Sequence, residues 1–375
     1  MTKIYLDYNA STPIAAEVAA AMRPYLSEAF GNPSNEHWAG RPARAAVETA
    51  RGEVATLLGC SPEEIVFTSG GSEANNQALK GAAFALREKG DHIVVSTVEH
   101  PAVLNPCRFL ERLGFRVSLV PVDQFGRVDP GDVQRAVTAK TILVSIMHAN
   151  NEVGVIQPIE AISRIARERG VLVHTDAAQS VGKIATNVDA LGVDLLSIAG
   201  HKVHAPKGVG ALYVRRGVRL EPLIHGASHE GGRRAGTESA LLAVGLGAAC
   251  ALARDLGPMQ QVRDLRDRFW GMLQDRFGKR IALNGDIERG LPNTLNISFV
   301  GKVGADILGR LEGVAASTGS ACHSGRIEMS PVLAAMGLAP EVGMGAIRFS
   351  LGRGTTGDDI DAVVGKLTDL GDLIV

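Results

Sequence analysis

The sequence predicts an α/β fold, a mostly parallel sheet with helices on both faces, joined to a smaller α+β part. Three observations carry this. Short apolar, β-rich runs alternate with helix-length segments between about residues 64 and 214. The composition is rich in glycine, with 44 residues, and poor in aromatics at 4%, as suits aliphatic packing of helices on a buried sheet. Finally, 375 residues are more than one ordinary core accommodates, and they suit two.

Element by element, helical patterning runs over residues 16–30 and again over 41–58, the second ending at Gly59 as a helix stop would. Seven strand-like runs follow, at residues 64–68, 92–96, 116–121, 141–147, 171–175, 195–198 and 210–214. Segments such as 72–89 and 159–169 separate most of them and are long enough for the crossover helices that parallel strands require. The seventh run follows the sixth without room for a helix, so it is expected to join antiparallel. An Ala/Leu-rich helical stretch at about 239–277 then leads into a strand at 293–299, a helix at 304–311, a strand at 347–350 and a last helix at 356–370. The expected division is a large α/β domain over 14–255 and a small α+β domain built from 1–13 and 256–375.

Charge is nearly balanced, 39 basic against 40 acidic residues, so no whole-protein field favours nucleic acid or an anionic membrane. No apolar run approaches the roughly 18 residues of a membrane span. The four cysteines, Cys60, Cys107, Cys250 and Cys322, are widely spaced and form neither a CxxC pair nor a zinc-like cluster with histidine, so no metal is expected. A reducing compartment follows from that usage, and the expected location is cytoplasmic.

The chemistry begins at Lys202, which ends an apolar run in Ser197-Ile198-Ala199-Gly200-His201-Lys202. A lysine amine can form a Schiff base with an aldehyde, and a carboxylate on a neighbouring strand can hold a pyridine nitrogen protonated. Asp176 closes the preceding run in that way, and the pair points to pyridoxal 5'-phosphate (PLP). Asp176 also reads as a helix N-cap, and Gln179, three residues on, reads either as a contact to a phenolic oxygen or as a capping partner. Gly70-Gly71-Ser72 sits between a strand and a helix, as a phosphate cradle or an ordinary helix start. His100 ends another strand and suits ring stacking or proton transfer. Cys322, among serine, glycine and histidine, reads as an exposed nucleophile, whereas Cys60, Cys107 and Cys250 lie in apolar surroundings and read as structural.

These residues resemble the cysteine desulfurases of the NifS and IscS type, PLP-dependent enzymes of transferase fold type I (aspartate-aminotransferase-like) that class by sequence with the class V aminotransferases. The resemblance covers almost the whole chain, from residues 5–13 through 31–34, 68–76, 99–100, 150–154, the Asp176 and Lys202 segments and 234–238, to 320–322 and 347–353. It implies a seven-stranded, mostly parallel sheet in the large domain. It further implies that Lys202 carries the cofactor, Asp176 pairs with the ring nitrogen, Gln179 meets the ring hydroxyl and His100 stacks and moves protons. Gly71, Ser72 and His201 would bind phosphate, joined by Thr237 from the partner subunit of a homodimer. Asn151 and Arg348 would hold the substrate carboxylate, and Cys322 would take sulfur as a persulfide for an acceptor protein, as in iron–sulfur cluster assembly.

The chain departs from that pattern in places. Ala199 stands where many such enzymes have a phosphate-binding serine, residues 226–232 differ from the usual glycine-rich segment, and His323 follows Cys322 in place of threonine. His323, residues 330–333 and 352–356 are similar to selenocysteine lyases, so L-selenocysteine stands as the alternative substrate to L-cysteine. An aminotransferase, an epimerase and a non-catalytic sulfur-relay protein are further readings of the same fold.

Overall fold

A computed structural model describes residues 3–371 apart from 319, 324 and 325, with the backbone alone at 320–323, 326 and 327. The seven expected runs form one sheet in the order Ile65–Thr68, Gly210–Val214, Leu195–Ala199, Leu172–Asp176, Thr141–Ser145, His92–Ser96, Arg116–Val120. All neighbours are parallel except Gly210–Val214, which runs antiparallel to both strands flanking it. The expected antiparallel strand is therefore interior to the sheet. Six of the seven strands are almost wholly buried, and helices cover both faces, giving one core cluster around Val144, Val173 and Leu196 and another around Val66, Leu79 and Leu143.

A second sheet is antiparallel throughout, in the order Ser317–Thr318, Ala346–Ser350, Thr294–Phe299, Ile281–Leu283. Its core gathers Phe269, Phe299 and Phe349 with Ile360 and Leu367 of the last helix, Gly357–Asp369. The N-terminal strand Ile4–Tyr5 pairs with Val314–Ala315, and the chain then crosses to the first sheet at Thr12, whose N–H donates to the His201 carbonyl. Among the described residues no single helix is long and apolar enough to cross a membrane.

Two helices differ from expectation. The segment 16–30 holds an α-helix only over Ala16–Met22, continued as a tighter 3₁₀ turn over Arg23–Leu26, because Pro24 has no N–H to extend the α ladder. The stretch 239–277 is two helices, Ala240–Ala253 and Gly257–Phe277, bent by 72°. Gly257-Pro258 starts the second one with proline in its first turn, where that residue is tolerated. By contrast Gly40–Leu58 ends as read, with Gly59 in the left-handed region at φ 72°.

The unusual segment 226–232 is held by a buried ion pair. Glu230 adopts a left-handed backbone at φ 51°, and its carboxylate takes Arg51 Nη1 at 2.6 Å, Arg51 Nη2 at 3.0 Å and the Phe67 N–H at 2.9 Å. Three charge-assisted bonds in a buried site outweigh the strain of the backbone.

One histidine in the large sheet and one just beyond a strand end are buried and neutral. His174 lies between Ser145 (2.8 Å) and Ser197 (3.0 Å), His148 bonds Ser180 at 2.9 Å, and burial pulls both side chains down to about 4. The folded values lie below the ordinary 6.5, so the unfolded chain binds more protons in between. Stability from these histidines is complete above about 6.5 and is lost as pH falls towards about 4. The melting temperature is expected to fall more between pH 7 and pH 5 in the parent than in His174→Asn, a comparison that cancels the opposite contribution of Glu99, pushed up to about 8 by burial; equal falls would contradict this.

Candidate active site

The strand Ile65–Thr68 hands over to the helix Gly71–Ala85 through Gly70, whose φ of 151° is open to glycine but strained for other residues. A Cβ on Gly71 would lie 3.0 Å from the Ala199 Cβ, so the helix start is pressed against the end of the Lys202 strand. Its first-turn N–H groups lack intrahelical acceptors, and with Ser72 they edge a cavity of about 460 Å³. Glu73 reaches back to the Ser69 N–H at 2.8 Å and is paired with Arg234 at 2.9 Å. Burial works to raise that carboxyl, but Arg234 and the Ser69 hydrogen bond outweigh it and hold Glu73 below its ordinary value.

Asp176 lies at the end of Leu172–Asp176, on the cavity wall. One carboxylate oxygen accepts from Asn75 Nδ2 at 2.7 Å, the other from the Ala178 N–H at 2.9 Å. The turn-cap and ligand readings therefore coexist, since each oxygen keeps a second lone pair. Lys202 lies in the short turn Gly200–Lys202 directly after Leu195–Ala199. Burial pulls its ammonium below the ordinary range, Arg348 adds to that and Asp176 opposes it. His100 caps the helix Pro101–Glu111 by accepting the Ala102 N–H at Nδ1, 3.1 Å, which leaves the ring proton on Nε2. Burial, then Lys202, hold this imidazole below its usual value, so it is neutral at pH 7.

Across the cavity, Arg348 projects from Ala346–Ser350. Its Nη2 meets Asp7 at 2.6 Å, its Nη1 donates to the Asn151 carbonyl at 2.9 Å, and Nε is buried without a partner among the described residues. Gln179 Nε2 donates to the Asn9 carbonyl at 3.0 Å while its Oε1 accepts from Lys183 Nζ at 3.0 Å. The cavity is thus lined by Gly71, Ser72, His100, Asn151, Asp176, Gln179, His201, Lys202 and Arg348, together with Ala199, which adds no hydroxyl. Thr237 is exposed and outside it. Cys322 has its backbone paired with Ile327 in the hairpin Ser320–His323/Arg326–Met329, and its side chain lies outside the described residues. Burial pushes the thiols of Cys60, Cys107 and Cys250 up to about 12, which leaves them inert.

The donor set fits a phosphorylated pyridine aldehyde: a helix start with Ser72 and His201 for phosphate, Asp176 for the ring nitrogen and an amine of lowered basicity at Lys202. Two buried polar atoms without partners among the described residues, Asn75 Oδ1 and Arg348 Nε, belong to residues on the same walls. The sequence reading missed Asn75, Asn9, Lys183 and Asp7. Asn75 carried a signal, a polar side chain three residues after Ser72 on the buried face of a helix. Asp7 and Asn9 carried none, since their partners lie far away in sequence.

The aminotransferase class-V family matches residues 4–363. Cysteine desulfurase IscS of Dictyoglomus turgidum is 51% identical over 96% of this chain and 92% of its own length. The Escherichia coli IscS is 46% identical over 99% and 95%. A solved NifS-like protein superposes with a TM-score of 0.93 at 37% identity, covering 98% of this chain and 99% of its own. A structure described as SspA in complex with cysteine gives 0.84 at 39% identity, covering 93% and 99%. These neighbours share the fold type I architecture expected from the sequence. The chain belongs to the class-V aminotransferase family, in the cysteine desulfurase branch that these relatives represent.

Proposed function

We infer that the protein is a PLP-dependent cysteine desulfurase, converting L-cysteine to L-alanine and passing the sulfur to Cys322 as a persulfide for an acceptor protein. The observation that carries it is the meeting of Lys202, Asp176 and Arg348 in one cavity of a chain 51% identical to an IscS enzyme. The cysteine names of the relatives, and the cysteine complex of one neighbour, do not favour the selenocysteine alternative.

Bound PLP supplies an electron sink for a carbanion at the substrate's α-carbon. In this reading Lys202 holds the aldehyde, and its lowered basicity raises the share of neutral, nucleophilic amine. Asp176 keeps the ring nitrogen protonated, Gln179 donates to the ring hydroxyl, and Ser72 and His201 hold phosphate beside the helix start. Arg348 and Asn151 bind the cysteine carboxylate, with Arg348 held in place by Asp7 and the Asn151 carbonyl. Lys202 or neutral His100 takes the α-proton. The Cys322 thiolate then attacks the substrate sulfur: the S–S bond forms, the C–S bond breaks, and carbon keeps the electron pair and later gains a proton to give alanine.

Purified protein given L-cysteine and a reductant is expected to release alanine and sulfide in equal amounts, without keto acid. Keto acid as the main product would replace this reading by an aminotransferase, and turnover of selenocysteine alone would replace it by a lyase.

A homodimer is part of the same proposal. Leu26 at 70% exposure, Phe30 at 72% and Trp38 at 81% leave a row of large apolar side chains on one segment, and exposed Thr237 needs a second chain to reach a cavity. Light scattering is expected to give twice 39.4 kDa; a monomer mass at full activity would refute it.

A further inference from the structure

Lys183 is buried, with 8% of its surface accessible, and among the described residues it has no carboxylate partner. Its ammonium donates to two neutral oxygens, Gln179 Oε1 and Asn9 Oδ1, each at 3.0 Å. The charged groups acting on it, Lys202 and Arg348, are both cations, and burial with these two draws it well below the ordinary lysine range. A buried cation without an anion is costly enough that such groups are normally paired. Lys183 itself borders a second cavity of about 360 Å³ beside Lys202, His204 and Arg353, while Gln179 and Asn9 stand between it and the first cavity, which both of them line.

The contacts of Gln179 give the arrangement a direction. Lys183 donates to the amide oxygen of Gln179, which holds that oxygen on its own side and turns the amide nitrogen the other way. One N–H of that nitrogen is used by the Asn9 carbonyl at 3.0 Å, and the second is left for the cavity. Asn9 is held equally firmly: its side chain also meets Thr294 Oγ1 at 2.8 Å and Asn293 Nδ2 at 3.0 Å. The Asn9 carbonyl and the Lys183 donor both oppose a flip of the Gln179 amide, so without Lys183 that orientation rests on one bond instead of two.

We propose that Lys183 is a positioning residue, which sets Gln179 with its N–H towards the cavity and biases that wall for an anionic oxygen on the ring of the bound cofactor. The inference rests on the PLP reading above.

The test uses holoenzyme of the wild type, Lys183→Met, Gln179→Ala and the double variant. Two quantities are read: the rate of cofactor loss on dilution, and the pH at which the visible absorbance of the lysine-bound cofactor changes. Lys183→Met is expected to lose cofactor about tenfold faster and to move that pH upward by about one unit, because loss of a donor or a nearby cation favours the protonated form. The same change made in Gln179→Ala is expected to add little. Unchanged retention and titration in folded Lys183→Met would overturn the proposal and leave Lys183 as a tie between the sheets. Fully additive effects would overturn its action through Gln179. Should Lys183→Met fail to fold, Lys183→Gln, which keeps a donor but no charge, carries the same comparison with Gln179→Ala. Absence of the visible band in the wild type would instead refute the cofactor reading itself.

Discussion

Lys202→Ala is expected to yield a folded protein that turns over L-cysteine at least about 10²–10⁴-fold more slowly than the parent, the range lost when a positioned proton-transfer group is removed. The expectation is strong because Lys202 supplies two things at one point: the only lysine amine on the cavity wall among the described residues, and a basicity reduced by burial. His100 is neutral and lies on the same wall, yet it cannot form the covalent link. Borohydride followed by mass measurement gives an independent check, since the parent should gain the mass of reduced cofactor at residue 202 and the variant should not. Retained turnover in Lys202→Ala would remove the centre of the proposed mechanism.

Cys322→Ser is expected to abolish sulfur transfer, by roughly 10³-fold or about 4 kcal/mol of barrier, while leaving cofactor and cysteine binding intact. A hydroxyl is not a substitute, because the attacking group must be an anion at neutral pH and serine is far less acidic than cysteine. No other thiol can replace it: Cys107 and Cys250 are buried, and with Cys60 they are pushed up to about 12. Mixing Cys322→Ser with cysteine should therefore still change the cofactor's absorbance but yield no alanine. Alanine formation at the parent's rate would show that the sulfur leaves without this nucleophile.

Much of the large sheet was legible because its signals are local. Runs of four to seven apolar residues bounded by turn formers reveal strands, and the missing helix between Leu195–Ala199 and Gly210–Val214 revealed the antiparallel one. That Lys202, Asp176 and His100 sit at strand ends was equally visible, and strand ends are where such sheets gather ligands. Strand order was not, since pairing between Ile65–Thr68 and Gly210–Val214 spans the domain and leaves no local trace. The short strand Ile281–Leu283 and the hairpin at Ser320–His323 passed unnoticed, being too brief for periodicity to register. The kink after Ala253 was written in Gly257-Pro258, but an uninterrupted run of helix formers on either side hid it. Supporting residues are harder still. Nothing near Asn9 in sequence shows that its amide meets Thr294 or that its carbonyl meets Gln179.

Asn9 has a bearing on how the molecule is made. It is made before three of its partners, Asn293, Thr294 and Ser350, which follow it by 284, 285 and 341 residues. The cavity wall that Asn9 helps to form therefore cannot be completed until those residues have been made, however well the large sheet has already formed. A polypeptide released before residue 348 would carry the amine of Lys202 without the guanidinium that faces the same cavity in the finished fold.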